Sequence, residues 1–173
     1  MTPHERITAA IHAANAAHRT ALIPFVTAGY PEPAGFTRVL RAVAEVGDVV
    51  EIGVPFSDPM ADGLTIQRSS HAAIANGVSL SWIFEQLEAA DEPFAAPLVM
   101  MSYLNPLLAF GYEALAARAA ATGVCGFIVP DLPLEESDEL RAALAGQGLG
   151  LVQLVTPATP PARLVRLAQA SRG

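Results

Sequence analysis

Residues 48–63 read Asp48-Val49-Val50-Glu51-Ile52-Gly53-Val54-Pro55-Phe56-Ser57-Asp58-Pro59-Met60-Ala61-Asp62-Gly63, an apolar run that ends in a polar loop rich in proline. Residues 48–54 have the length and branched composition of a buried strand. Side chains alternate along a strand, so Val50, Ile52 and Val54 share one face while Val49, Glu51 and Gly53 share the other. The branched face suits packing against helices. The opposite face would carry a carboxylate into an interior, beside a glycine that leaves open space.

On either side of this stretch, helical and strand patterns alternate. Toward the N-terminus, residues 3–16 read as a helix, with Ile7 and Ile11 four apart among alanines. Residues 21–27 form a short apolar strand ended by the turn signal Gly29-Tyr30-Pro31. A helix over 33–46 places Phe36, Val39, Leu40 and Val43 on one face, and Gly47 stops it. Toward the C-terminus, residues 65–91 hold helical segments separated at Asn76-Gly77. Residues 97–103 are a third strand, 110–122 a helix, and 126–130 a fourth strand. A helix over 135–145, a fifth strand over 149–155 and a last helix over 160–170 complete the rhythm.

Strands that are near-continuous apolar runs, each followed by a helix, belong to a parallel sheet covered by helices. The right-handed crossover rule leaves a doubly wound open sheet or a β/α barrel. The former would place phosphate-binding glycines after strand one, yet Thr27-Ala28-Gly29-Tyr30-Pro31 holds neither G-x-G-x-x-G nor G-x-x-x-x-G-K. Gly146, Gly148 and Gly150 lie between a helix and strand five, the wrong end of a unit for a nucleotide, and read as a helix-ending turn. The expected fold is α/β, in the (β/α)8 TIM barrel family. Here it is an incomplete barrel of about five parallel strands with an N-terminal helix, in a single domain over residues 1–173.

Composition narrows the function. Of the 173 residues, 52% are hydrophobic and 16% charged, the balance of a folding globular chain. A net charge of −7, with ten scattered basic residues, argues against binding a phosphate backbone. The single cysteine, Cys125, rules out an internal disulfide and reads as a buried thiol. The start Met1-Thr2-Pro3-His4-Glu5-Arg6 lacks the form of a signal peptide. No apolar run reaches the ~18 residues of a membrane span, so a soluble, cytoplasmic protein is expected.

A Glu in a buried strand is costly unless it is paired, neutral or functional. Glu51 therefore has two readings, a buried ion pair with a basic side chain or a reacting group. The loop after it lies at a strand C-terminal end, where barrel enzymes build their sites. Asp58 alone reads as the opening of a turn at Asp58-Pro59. Asp58 and Asp62 have no nearby His or third acid, and the calcium-loop pattern is absent, so no metal is expected.

The stretch from Glu51 to Gly63 resembles the signature of the tryptophan synthase alpha family. Ile23-Pro24-Phe25-Val26-Thr27-Ala28-Gly29-Tyr30-Pro31 is similar to that family's first strand and turn. Ser102-Tyr103-Leu104-Asn105-Pro106 and Pro130-Asp131-Leu132-Pro133 are similar to its third and fourth strand ends. Leu64 departs from the pattern, standing where the family usually has proline.

The resemblance implies a lyase of tryptophan biosynthesis that cleaves indole-3-glycerol phosphate, by a retro-aldol reaction, to indole and glyceraldehyde-3-phosphate. Glu51 would be its general acid–base, and Asp62 would accept a hydrogen bond from the indole N–H. Phe25, Tyr103 and Ile128 would line the indole pocket, though each is equally a candidate for plain core. The loops holding Pro55, Asp58 and Asn105 would meet the beta subunit in an alpha2-beta2 heterotetramer. The family's pyridoxal phosphate belongs to that beta subunit, and no cofactor is expected in this chain. His4, His12, His18 and His71 match no catalytic position and read as solvated or capping residues.

An eight-unit barrel typically needs ~250 residues. Five strands are read here, and the family continues beyond Ala170-Ser171-Arg172-Gly173 into strand six and the glycine-rich loops that hold the substrate phosphate. Two expectations follow: the alpha lyase, or a truncated non-catalytic partial barrel that only binds a partner or a complementing fragment. Another phosphosugar barrel lyase is a third reading, disfavoured by the Glu51–Asp62 motif. In a five-stranded sheet, strands one and five are expected as unpaired edges.

Overall fold

In a computed structural model, which describes residues 1–173, helices follow strands in the expected alternation. The order is α1 Pro3–Ala16, β1 Phe25–Thr27, α2 Phe36–Val46, β2 Val50–Gly53, α3 Leu64–Ala75, α4 Leu80–Glu88 and β3 Leu98–Met101. Then come α5 Leu104–Phe110, α6 Tyr112–Ala121, β4 Val124–Ile128, α7 Asp138–Gly146, β5 Gly150–Val152 and α8 Pro161–Ala170. The strands form one parallel sheet in sequential order, β1-β2-β3-β4-β5. Strands that neighbour in sequence and pair in parallel, each returning through a helix, make successive β/α units of a barrel wall.

The two faces of the sheet bury different sets. Toward the helices, Val50, Ile52, Leu98, Met100, Phe127 and Leu151 join the main core, in which Phe36, Leu40, Phe84 and Leu140 are fully buried. Toward the inside, a smaller cluster of Val49, Val99, Cys125 and Ile128 packs on Ile7 of α1. The N-terminal helix thus covers the inner face at its lower end, with Ala10 and Ile11 beside Ile7. Cys125 is wholly buried there, its thiol 3.6 Å from the Gly123 carbonyl.

Several strands are shorter than the apolar runs that announce them. β1 begins at Phe25 rather than at residue 21, leaving Leu22 and Ile23 exposed. Pro24 has no N–H to give the ladder, and the Leu22 carbonyl is instead used by the Asp48 N–H at 2.8 Å. β5 stops at Val152, with Leu154 and Val155 exposed beyond it, and β4 runs over Val124–Ile128, two residues earlier than read from the sequence. The β3–β4 pairing has a register irregularity at Leu98/Val99, opposite Val124 and Gly126. Helix α5 has no counterpart among the expected elements. Pro106 falls in its first turn, where a missing N–H breaks no intrahelical bond.

The β5 edge is also not bare. The Arg172 N–H donates to the Leu151 carbonyl at 3.1 Å and the Gln153 N–H to the Ser171 hydroxyl at 3.1 Å. At the other end of the sheet, Arg19 grips Asp48 through both carboxylate oxygens, at 2.6 and 2.5 Å, and the Leu22 N–H adds a third bond. These donors, the Arg19 guanidinium first, hold the Asp48 carboxyl down at about 2. No helix is long and apolar enough to cross a membrane.

Candidate functional site

The parallel registers stack the inward-facing positions in rows. Phe25, Glu51, Val99, Gly126 and Gly150 form one row, and Thr27, Gly53, Met101, Ile128 and Val152 the row above it, nearer the strand C-terminal ends. Glu51 is therefore on the inner face, half-buried between Phe25 and Val99. The ion pairs of the chain use Asp48, Glu88, Asp138 and Glu135, and Glu51 is in none of them. Burial without a compensating cation raises its pKa above the ordinary carboxylate value.

Gly53 does not leave open space beside Glu51, as the strand pattern suggested. A methyl group there would overlap the Phe25 ring, which leans from the Glu51 row into the row above. The space the glycine vacates is filled by an aromatic side chain from the neighbouring strand. Above this ring, Asp62 joins Phe25, Gly53, Ser70, Met101 and Tyr103 around a crevice of only about 10 Å³.

The loop that brings Asp62 to the crevice is held from both sides. Tyr103, at the end of β3, stacks on Phe56 with centroids 5.0 Å apart, and its hydroxyl accepts the Ala61 N–H at 2.9 Å. Burial raises the Tyr103 pKa; the Ala61 N–H opposes the shift, and the Asp62 carboxylate adds to it. On the other side, Gln67 of α3 donates through its side-chain amide to the Asp62 carbonyl at 2.9 Å. Within the loop, the Asp62 N–H reaches the Pro59 carbonyl at 3.1 Å. His71 touches the Ser57 carbonyl at 3.2 Å, closing the outer end.

The fold gathers the sequence candidates unequally. Phe25, Tyr103 and Asp62 meet around one crevice, with Glu51 one row beneath. Ile128 packs with Ile7, Val49, Val99 and Cys125, and so is a core residue in this arrangement. Of the three loop positions, Pro55 is buried, whereas Asp58 and Asn105 are exposed. His12 and His18 are exposed, and His4 contacts the Gly148 carbonyl at 2.9 Å, tying α1 to the turn before β5. Two polar residues of this end escaped sequence reasoning. Ser69 shares a 2.7 Å hydrogen bond with Thr27, and the Asp131 carboxylate accepts the Leu104 N–H at 2.9 Å, fixing the start of α5. Asp131 lies in the Pro130-Asp131-Leu132-Pro133 motif, but nothing in one sequence pairs Thr27 with a serine 42 residues away.

A family model described as tryptophan synthase alpha chain matches residues 11–173. The chain belongs to that family. It is 50% identical over 164 residues to the tryptophan synthase alpha chain of Desulfovibrio desulfuricans, covering 94% of this chain and 64% of that one. With that of Solidesulfovibrio magneticus it shares 49% over 168 residues, covering 96% and 66%. Among solved structures, tryptophan synthase subunit alpha from Legionella pneumophila superposes with a TM-score of 0.90 at 32% identity, covering 99% of this chain and 65% of the other. A Mycobacterium tuberculosis tryptophan synthase chain gives 0.90 at 37%, covering 97% and 65%. The chain thus spans about two thirds of the length of these relatives, and its five strands are β/α units of the family's TIM barrel.

Proposed function

We propose that this chain supplies the acid–base half of a lyase site that cleaves indole-3-glycerol phosphate to indole and glyceraldehyde-3-phosphate. The observation that carries the reading is Glu51, a half-buried carboxylate with no cationic partner on the inner sheet face, one row beneath the loop that presents Asp62. Burying an unpaired carboxylate costs stability, and a site with work for it explains its place.

The chemistry asks for two carboxyl groups in different states. Carbon 3 of the indole must gain a proton, which puts positive charge on the ring nitrogen. The glycerol hydroxyl must then lose one as the carbon–carbon bond breaks. Glu51, its pKa raised by burial, is suited to give the first proton and take the second. Asp62 accepts the indole N–H and stabilises the charge that develops on it. Phe25 and Tyr103 supply aromatic walls. The substrate phosphate is held by the third of the relatives' length that residues 1–173 do not span. No cofactor is assigned to this chain. The exposed Asp58 and Asn105 loops face a beta subunit, which carries pyridoxal phosphate and receives the indole.

The test is complementation. Residues 1–173 are co-expressed with the C-terminal third of a family member, and indole release from indole-3-glycerol phosphate is measured. Release by the assembled pair and little or none by residues 1–173 alone is expected. An assembled pair that releases no indole contradicts the proposal and favours a chain that only binds a partner.

A further inference from the structure

The position of Asp62 depends on a residue that the reaction itself does not name. Asp62 sits between a strand end and a helix start, in a loop whose helix-capping position is Gly63, which has no side chain to bond the free N–H groups of α3. The segment is also open to solvent, with Met60, Ala61, Gly63 and Leu64 all exposed. A carboxylate carried by such a loop is not held by burial. It is held by hydrogen bonds to its main chain.

Those bonds come from few groups. Tyr103 accepts the Ala61 N–H, immediately before Asp62, at 2.9 Å. Gln67 engages the chain immediately after it twice: its side-chain amide donates to the Asp62 carbonyl at 2.9 Å and its backbone N–H to the Gly63 carbonyl at 3.0 Å. The peptide plane before the Asp62 Cα is held within the loop, its N–H reaching the Pro59 carbonyl at 3.1 Å, and the plane after it is held by Gln67 of α3, while Tyr103 fixes the peptide one residue further back. Fixing both planes fixes the direction in which the Cα–Cβ bond leaves the backbone.

We infer that Gln67 is a positioning residue for Asp62, its amide clamp setting the carboxylate against the substrate N–H. The inference rests on the proposed lyase function, for which Asp62 is the acceptor. Gln67 touches no substrate in this account and acts only through the Asp62 peptide. Its contribution belongs to the transition state, where the indole nitrogen becomes charged and a displaced carboxylate loses most. Misplacement of a reacting group by about 1 Å can cost on the order of 100-fold. An interaction realised only in the transition state lowers kcat and kcat/KM together.

The experiment compares the wild-type pair, residues 1–173 with the complementing C-terminal third, with Gln67→Ala and Gln67→Glu. Alanine removes the side chain. Glutamate keeps its length and volume but, when ionised, presents acceptors to a carbonyl that needs a donor. Both variants should lower kcat by about 10- to 100-fold with little change in KM. Amide hydrogen exchange in residues 1–173 should show faster exchange at Ala61 and Asp62 in both variants, with the β-strand amides unchanged. Wild-type activity with a Gln67→Glu variant equally active would overturn the inference and leave the lyase reading standing. Unchanged loop exchange in Gln67→Ala would overturn it whatever the activity. An inactive wild-type pair would remove the lyase reading and this inference with it.

Discussion

Replacing Gly53 with alanine tests how the inner face is packed. The added methyl group has no free volume, because the Phe25 ring already occupies its place. Overpacking of this kind costs about 1–3 kcal/mol. Against it stands the backbone gain of replacing a strand glycine by alanine, about 0.5–1 kcal/mol. The net expectation is a loss of up to about 2.5 kcal/mol, or up to about 5–10 °C in Tm for a chain of this length. The assay is a double-mutant cycle by thermal or denaturant unfolding, with Phe25→Leu as the second change. In the Phe25→Leu background the methyl group finds room, so Gly53→Ala should become neutral or slightly stabilising. Equal destabilisation in both backgrounds, with a coupling below about 0.5 kcal/mol, would refute the packing argument.

Two further outcomes concern charge. Glu51 has a raised folded pKa, so the folded state holds its proton more tightly than the unfolded state, and wild-type stability declines as pH rises from 4.5 through that folded pKa. Glu51→Gln lacks this decline and should gain Tm relative to wild type between pH 4.5 and 8; a constant difference across that range would contradict the desolvation of Glu51. Asp48 behaves oppositely. Its folded pKa of about 2 lies below the ordinary 3.8, so the Arg19 clasp stabilises fully above pH 3.8 and is lost as pH falls toward 2. Asp48→Asn should lower the Tm at pH 7 and flatten the acid limb of an unfolding titration, and an unchanged limb would remove the clasp from the account.

The barrel units were legible because their signal is periodic. Apolar strands, helical stripes such as Phe36–Leu40, and the turns at Gly47 and Asn76-Gly77 recur at the spacing that a parallel sheet with crossover helices imposes. Strand ends were less legible, since an apolar run does not say where its ladder stops. Leu22, Ile23, Leu154 and Val155 have strand-like side chains but lie outside the sheet. Alternation placed Glu51 on the inner face, and the resemblance alone singled out Phe25. Neither revealed that the Phe25 ring fills the space over Gly53, which depends on a side-chain rotamer in a neighbouring strand. Ile128, singled out by the resemblance with plain core as the other reading, shares that face and packs in a cluster with Ile7 of α1. The clamp on Asp62 by Tyr103 and Gln67 joins residues from three segments, and no single stretch of sequence contains it.

The central claim is that Glu51 is retained on the inner face because it moves protons. Single-turnover cleavage of indole-3-glycerol phosphate by the complemented protein, comparing wild type with Glu51→Gln and Asp62→Asn, tests it most directly. General acid–base catalysis by a positioned side chain contributes about 10²–10⁴-fold, and Glu51→Gln should lose at least that much while circular dichroism and Tm show an intact fold. Asp62→Asn should lose less, because an amide oxygen still accepts the indole N–H but brings no charge. A Glu51→Gln protein that cleaves at a near wild-type rate would contradict the account.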